Sequence, residues 1–250
     1  MIFEGGAGCA HDTRPDVRKW SAGSLMPQTL KSRILVVGGH TRSIGKTALI
    51  VELIRAFPEA AWTAGKITQF GHGVCSRGGA ACDCAPDEHT VALDWESDAS
   101  AGTDSARFLE AGARRSLWLR TKQGRLAEGL PLLRKALAEG SGGMQSSGAP
   151  QNVILESNSL LQFVRPNLYL VVLDPEEADF KESARCYLDR ADACILRRPL
   201  NARESASWSG VSRALLTGRP IFHQQADEPL PAGLVAFVQE RFFSTAGILL

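Results

Sequence analysis

The chain has 250 residues, 44% hydrophobic and 22% charged, with a formal net charge of +1. That length can bury a large core. Near neutrality excludes the global positive field of a nucleic-acid binder or of a protein drawn to an anionic membrane. No apolar run approaches membrane-span length, and no basic-then-apolar leader opens the chain. The cytoplasm is therefore the expected location. Six cysteines in a reducing compartment read as free thiols or metal ligands rather than disulfides.

Residues 1–30 are polar and without a usable period, and are expected to form a disordered extension. The rest, 31–250, reads as one domain with a Cys-rich insertion at about 70–102. Its first element is a short apolar run, Ile34 to Val37, expected to be a buried strand. The glycine-rich stretch GGHTRSIGKT follows, and then a helix-like ALIVELIRAF. Strand, glycine-rich loop, Gly-Lys-Thr and helix make a phosphate loop. Five residues separate Gly39 from Gly45, where the usual spacing has four. Backbone N–H groups of such a loop converge on a phosphate, with the positive end of a helix behind it. The expected nucleotide contacts are Gly39, Thr41, Arg42, Ser43, Ile44, Gly45, Lys46, Thr47 and Ala48. Lys46 is expected to neutralise β/γ charge, and the Thr47 hydroxyl to bind Mg²⁺.

A second strand is expected over Ala60–Gln69, with Lys66 at its end. Phe70 to Gly102 reads as a long loop or small insertion. GTDSARFLEAGA then opens a helix with Asp104 in its first turn, and Ser116–Arg120 reads as a short strand. Arg125–Glu139 is an amphipathic helix that Pro131 is expected to bend or shift. Strands follow over Asn152–Glu156 and Leu168–Asp174, and a helix over Glu177–Ala191. Further expected elements are a strand at Ala193–Arg198, a helix at Ala202–Leu216, a strand at Arg219–His223 and a closing helix at Leu230–Phe242. Alternating short strands and helices imply an α/β fold, a three-layer parallel sheet.

Ligands of such sheets bind at the carboxyl ends of the strands. Lys66, Glu156, Asp174 and the phosphate loop all fall there, and Asp104 opens a helix able to face the same edge. Thr47, Asp104 and Glu156 supply the hard oxygens Mg²⁺ prefers. Each carboxylate also has a bland reading: Asp104 as a helix cap, Glu156 as a solvated strand end. Lys66 reads equally as a surface lysine. Cys75, Cys82, Cys84 and His89 stand close together in CSRGGAACDCAPDEH, a set that zinc or iron would accept or a flexible insertion with unpaired thiols. His72 is a further ligand or phosphate-contact candidate, whereas Cys186 and Cys194 read as core residues.

These motifs resemble the SIMIBI class of P-loop NTPases. Within it the chain resembles the family of molybdopterin-guanine dinucleotide biosynthesis protein B, through GGHTRSIGKT, GKITQFGHG, GTDSARFLEAGA and VILES in that order. The resemblance runs from about Arg33 to Glu156. It implies a Mg²⁺-dependent purine-nucleotide binder, GTP rather than ATP, with weak NTPase activity in molybdenum-cofactor maturation. It also implies a partner protein of that process, a homodimer, and catalytic roles for Lys46 and Lys66. The five-residue loop and the tail PIFHQQADEPLPAGLVAF instead resemble dethiobiotin synthetase, which implies an ATP-dependent ligase or kinase. A third reading is a nucleotide-gated metallochaperone carrying its metal on the cysteine cluster.

Overall fold

The computed structural model describes residues 31–70, 76–77, 80–81, 90–139, 150–199, 208, 210–225, 228–244 and 248–249. The expected N-terminal extension, Cys75, Cys82, Cys84, His89 and His72 lie outside them, as do residues 202–207 and 209 of the helix expected at Ala202–Leu216. Among the described residues eleven strands appear in chain order: β1 Lys31–Gly39, β2 Thr63–Phe70, β3 Ser76–Arg77, β4 Ala80–Ala81, β5 Val91–Trp95, β6 Arg115–Lys122, β7 Gln151–Glu156, β8 Leu168–Leu173, β9 Ala193–Leu196, β10 Ile221–His223 and β11 Ile248–Leu249. The α-helices are α1 Lys46–Ala56, α2 Asp104–Glu110, α3 Leu126–Glu139, α4 Glu182–Arg185 and α5 Ala232–Val238.

The main sheet runs β10-β9-β8-β1-β7-β2-β6-β5, and β11 also pairs with β1. It is parallel except for β5 on β6 and β11 on β1. The sequence pattern implies a parallel sheet, which the central strands form; the antiparallel edge strand β5 lies inside the stretch read as loop. Its side chains are only half-buried, as suits an edge. β3 and β4 form a separate two-stranded sheet.

Two apolar clusters sandwich the sheet, and the pleat of β1 divides them. Ile34 and Val36 join Leu117, Leu133, Leu155 and Tyr169 on one face. Leu35 and Val37 face Leu49, Leu53, Trp62, Phe108 and Phe242 on the other. α3 therefore covers one face, and α1, α2 and α5 the other. In α1 the apolar residues Leu49, Ile50, Leu53 and Ile54 recur at helical spacing, and all are buried. α3 runs unbroken through Pro131.

Two expected helices are not helical over their length. Within Glu177–Ala191 only α4 and a 3₁₀ turn at Leu188–Arg190 form. The described end of the second is a 3₁₀ turn at Arg213–Leu216. The closing helix passes from α5 into a π-helical turn at Gln239–Phe243. Cys194 is buried as expected, but Cys186 is exposed at the end of α4, where its thiol meets the Glu182 carboxylate at 3.5 Å.

Candidate functional site

The site is built at the carboxyl edge of the central strands. β1 ends at Gly39, and the chain turns through residues 40–45 into α1. Ser43 and Gly45 hold left-handed φ values of 51° and 88°. Gly45 is required twice: by that angle, and because a Cβ there would lie 2.6 Å from the Arg197 guanidinium. Asn158 fastens the start of the loop, accepting from the Gly39 N–H at 2.9 Å and donating to the Gly39 carbonyl at 2.8 Å.

Two of the loop's carbonyls are held from behind. Arg197 is buried and donates Nε–H to the Ile44 carbonyl at 3.1 Å and an Nη2–H to the Gly45 carbonyl. Its Nη1 donates to the backbone and side-chain oxygens of Gln224, both at 3.0 Å. With these carbonyls turned back, the crest of the loop is fixed ahead of the open N-terminus of α1.

The β8–α4 connection, residues 174–181, straps the first half of the loop. The His40 ring meets the Glu177 carbonyl at 3.1 Å through Nε2, and the Thr41 hydroxyl donates to Asp179 at 2.6 Å. The Lys181 N–H donates to the His40 carbonyl at 2.8 Å. His40 is fully buried between Phe180 and Trp208, ring centroids 5.1 and 5.7 Å away. Burial pushes its pKa below 6.5, against the opposing pull of its backbone bonds and of Asp174 and Asp179. It is a neutral wedge in the loop.

In front of α1 the charged residues converge. Lys46 Nζ donates to the Thr41 carbonyl at 3.0 Å. Burial lowers its pKa first, Glu156 pulls it up, and Lys66 pushes it down. The Thr47 hydroxyl donates to Glu156 Oε2 at 2.7 Å. Lys66 is ion-paired with Asp104 and lies 3.8 Å from Glu156 Oε1. Register explains the meeting: Glu156 pairs with Val37 on one side and Lys66 on the other.

Lys66 is not at the end of its strand. Pairing with β6 carries β2 on to Phe70, while pairing with β7 stops at Lys66. Asp104 is not the cap of α2 either. Thr103 takes that role, accepting from the Ala106 N–H at 3.0 Å, which leaves the Asp104 carboxylate turned to Lys66. Asp174 faces Arg198 at 3.5 Å and accepts from the Glu176 N–H, so it begins a turn.

The structure thus brings together Thr41, Lys46, Thr47, Lys66, Asp104 and Glu156. Arg42 and Ser43 are exposed on the loop. Sequence reasoning missed Arg197, Asn158, Asp179 and Lys181, whose partners in the loop lie more than a hundred residues away. Among the described residues no cluster of three metal-ligating side chains of the His/Cys/Asp/Glu kind occurs, and no helix is long and apolar enough to cross a membrane. Thr47, Asp104 and Glu156 are nonetheless hard oxygen donors of the kind Mg²⁺ on a nucleotide takes, in a set completed by phosphate oxygens.

No family model and no curated protein matches the chain. Among solved structures it is similar to LpxK from Aquifex aeolicus in complex with ATP, at 15% identity and TM-score 0.40, over 78% of this chain and 54% of that one. It is also similar to a MobB homolog from Bacillus stearothermophilus, at 15% identity and TM-score 0.37, over 85% and 99% of the two chains. A third is HypB from Helicobacter pylori in complex with nickel, at 14% identity and TM-score 0.42, over 88% and 90%. The chain spans about half the length of the first of these. The assignment itself rests on the geometry above: a parallel-centred α/β sheet whose central strand passes through a glycine-rich loop and Gly-Lys-Thr into a helix is a P-loop NTPase fold.

Proposed function

We propose that the protein is a Mg²⁺-dependent purine-nucleotide binding protein with weak NTPase activity, acting in molybdenum-cofactor maturation. The observation that carries the binding is the meeting of Lys46, Thr47, Lys66, Asp104 and Glu156 in front of a phosphate loop braced from behind. The amides of residues 41–48 would face the phosphates; the Gly39 N–H, expected among them, is instead given to Asn158. Lys46 exchanges the Thr41 carbonyl for phosphate oxygens. Thr47, Asp104 and Glu156 would hold the Mg²⁺, which supplies charge neutralisation across the β- and γ-phosphates. Lys66 then leaves Asp104 for the transferring phosphoryl group, where positioning and electrostatics do most of the catalysis. GTP over ATP, the homodimer and the cofactor pathway come from the resemblance in GKITQFGHG and GTDSARFLEAGA.

Titration of labelled GTP and ATP with Mg²⁺, followed by single-turnover hydrolysis, tests this. The expected result is GTP binding with hydrolysis on the order of 10⁻³ s⁻¹ or slower. Binding of neither nucleotide would overturn the reading. ATP binding with fast turnover on a carboxylate substrate would replace it with the ligase reading that the five-residue loop spacing favours.

A further inference from the structure

The charges around the phosphate loop include one that the reading above does not use. Lys181 caps the start of α4, and its N–H is tied to the His40 carbonyl at 2.8 Å. Two further bonds of the same strap, Glu177 to His40 and Asp179 to Thr41, hold it along the first half of the loop. The Lys181 side chain is half-buried. Burial lowers its pKa first, and the cations that push it down further are Lys46 and Arg42, both of the loop; Asp179 and Glu156 pull the other way. Asp179 is already engaged by Thr41, and Glu156 by Thr47. Among the described residues no carboxylate lies within ion-pair distance of Lys181.

A half-buried ammonium on the strap, one backbone bond from the phosphate loop, gains from an anion bound against that loop. The structure also indicates which part of the anion it meets. Lys46 serves the β/γ end of a nucleotide, and its Nζ points at the Thr41 carbonyl, on the strapped side of the loop. We infer that Lys181 contacts the terminal phosphate of a bound nucleoside triphosphate, as a second phosphate lysine delivered by the β8–α4 connection. The inference rests on the nucleotide reading above. It makes the connection responsive to the state of the nucleotide: the triphosphate bridges loop and strap through Lys181, and the diphosphate does not.

The test is the affinity of wild type, Lys181→Met and Lys181→Arg for GTP, GDP, ATP and ADP, each with Mg²⁺. Lys181→Met keeps the apolar stem and removes the charge. It should weaken the preferred triphosphate about 10- to 100-fold, the worth of one charge-assisted hydrogen bond, and change its diphosphate by less than about 3-fold. Lys181→Arg should recover most of the loss. Arg55→Met, on the far end of α1, controls for general charge and should leave both affinities unchanged. Equal loss of di- and triphosphate would make Lys181 only a support of the loop, and no change in either would remove it from the site; both overturn the inference while the nucleotide reading stands. If wild type binds none of the four, both fall together.

Discussion

Lys46→Ala should cost about 100-fold in nucleotide affinity while leaving the fold intact. Two charge-assisted hydrogen bonds from Lys46 to phosphate oxygens are worth about 3–4 kcal/mol together. Binding gives up the bond to the Thr41 carbonyl, 3.0 Å long, which returns about 1 kcal/mol. The balance is about two decades of affinity. Stability should move little, or rise, because burial already depresses the Lys46 pKa, and removing a desolvated ammonium relieves that cost. Nucleotide titration and urea unfolding on the same sample separate the two effects. A variant that lost binding only because it unfolded would contradict this account of Lys46.

Arg197→Ala should do the opposite and cost stability first. The guanidinium satisfies the carbonyls of Ile44 and Gly45 and both oxygens of Gln224. Arg197 and Gln224 are both buried, so water does not simply replace the lost donors. Leaving buried acceptors without partners costs about 1–3 kcal/mol each, and the expected loss is about 3 kcal/mol or more. Nucleotide affinity should fall as well, because the carbonyls no longer fix the direction of the loop amides. Arg197→Lys should restore only part, since an ammonium cannot reproduce the planar fork between the loop and Gln224. The urea midpoint reads the stability change. A shift below about 0.5 kcal/mol, the range of ordinary surface substitutions, would contradict the bracing role.

The strand, loop and helix at Arg33–Thr47 were legible because each local signal agreed: a β-branched run, glycines, Gly-Lys-Thr, and apolar residues at helical spacing. Glu156 and Asp104 were legible as positions, since a carboxylate after a buried strand and one at a helix start both point to the functional edge. What they do there was not. Whether Asp104 caps its helix depends on Thr103 taking the cap, and Lys66 meets Glu156 through strand register, which no local pattern displays. The segment EADFKESARC has helical composition, yet its first half forms the strap. Glu177 and Asp179 give their hydrogen-bonding groups to His40 and Thr41, and tertiary bonding overrides propensity there. The five residues between Gly39 and Gly45 depart from the usual spacing; in the structure the ring of His40, the first of them, is the wedge that the strap closes over. β5 was hidden for another reason. Val91–Trp95 adjoins a glycine- and cysteine-rich stretch, and the run is short enough to be absorbed into the loop reading.

The proposed role of Thr47, Asp104 and Glu156 is to serve a magnesium-bound nucleotide at this edge. The most direct measurement is the affinity for the preferred triphosphate with Mg²⁺ and with EDTA, on wild type and Glu156→Gln. Wild type should gain at least about tenfold from the metal, and Glu156→Gln should lose most of that gain, because a neutral amide is a poorer ligand for a hard dication. A wild type indifferent to Mg²⁺, or a Glu156→Gln variant that keeps the full gain, would contradict it.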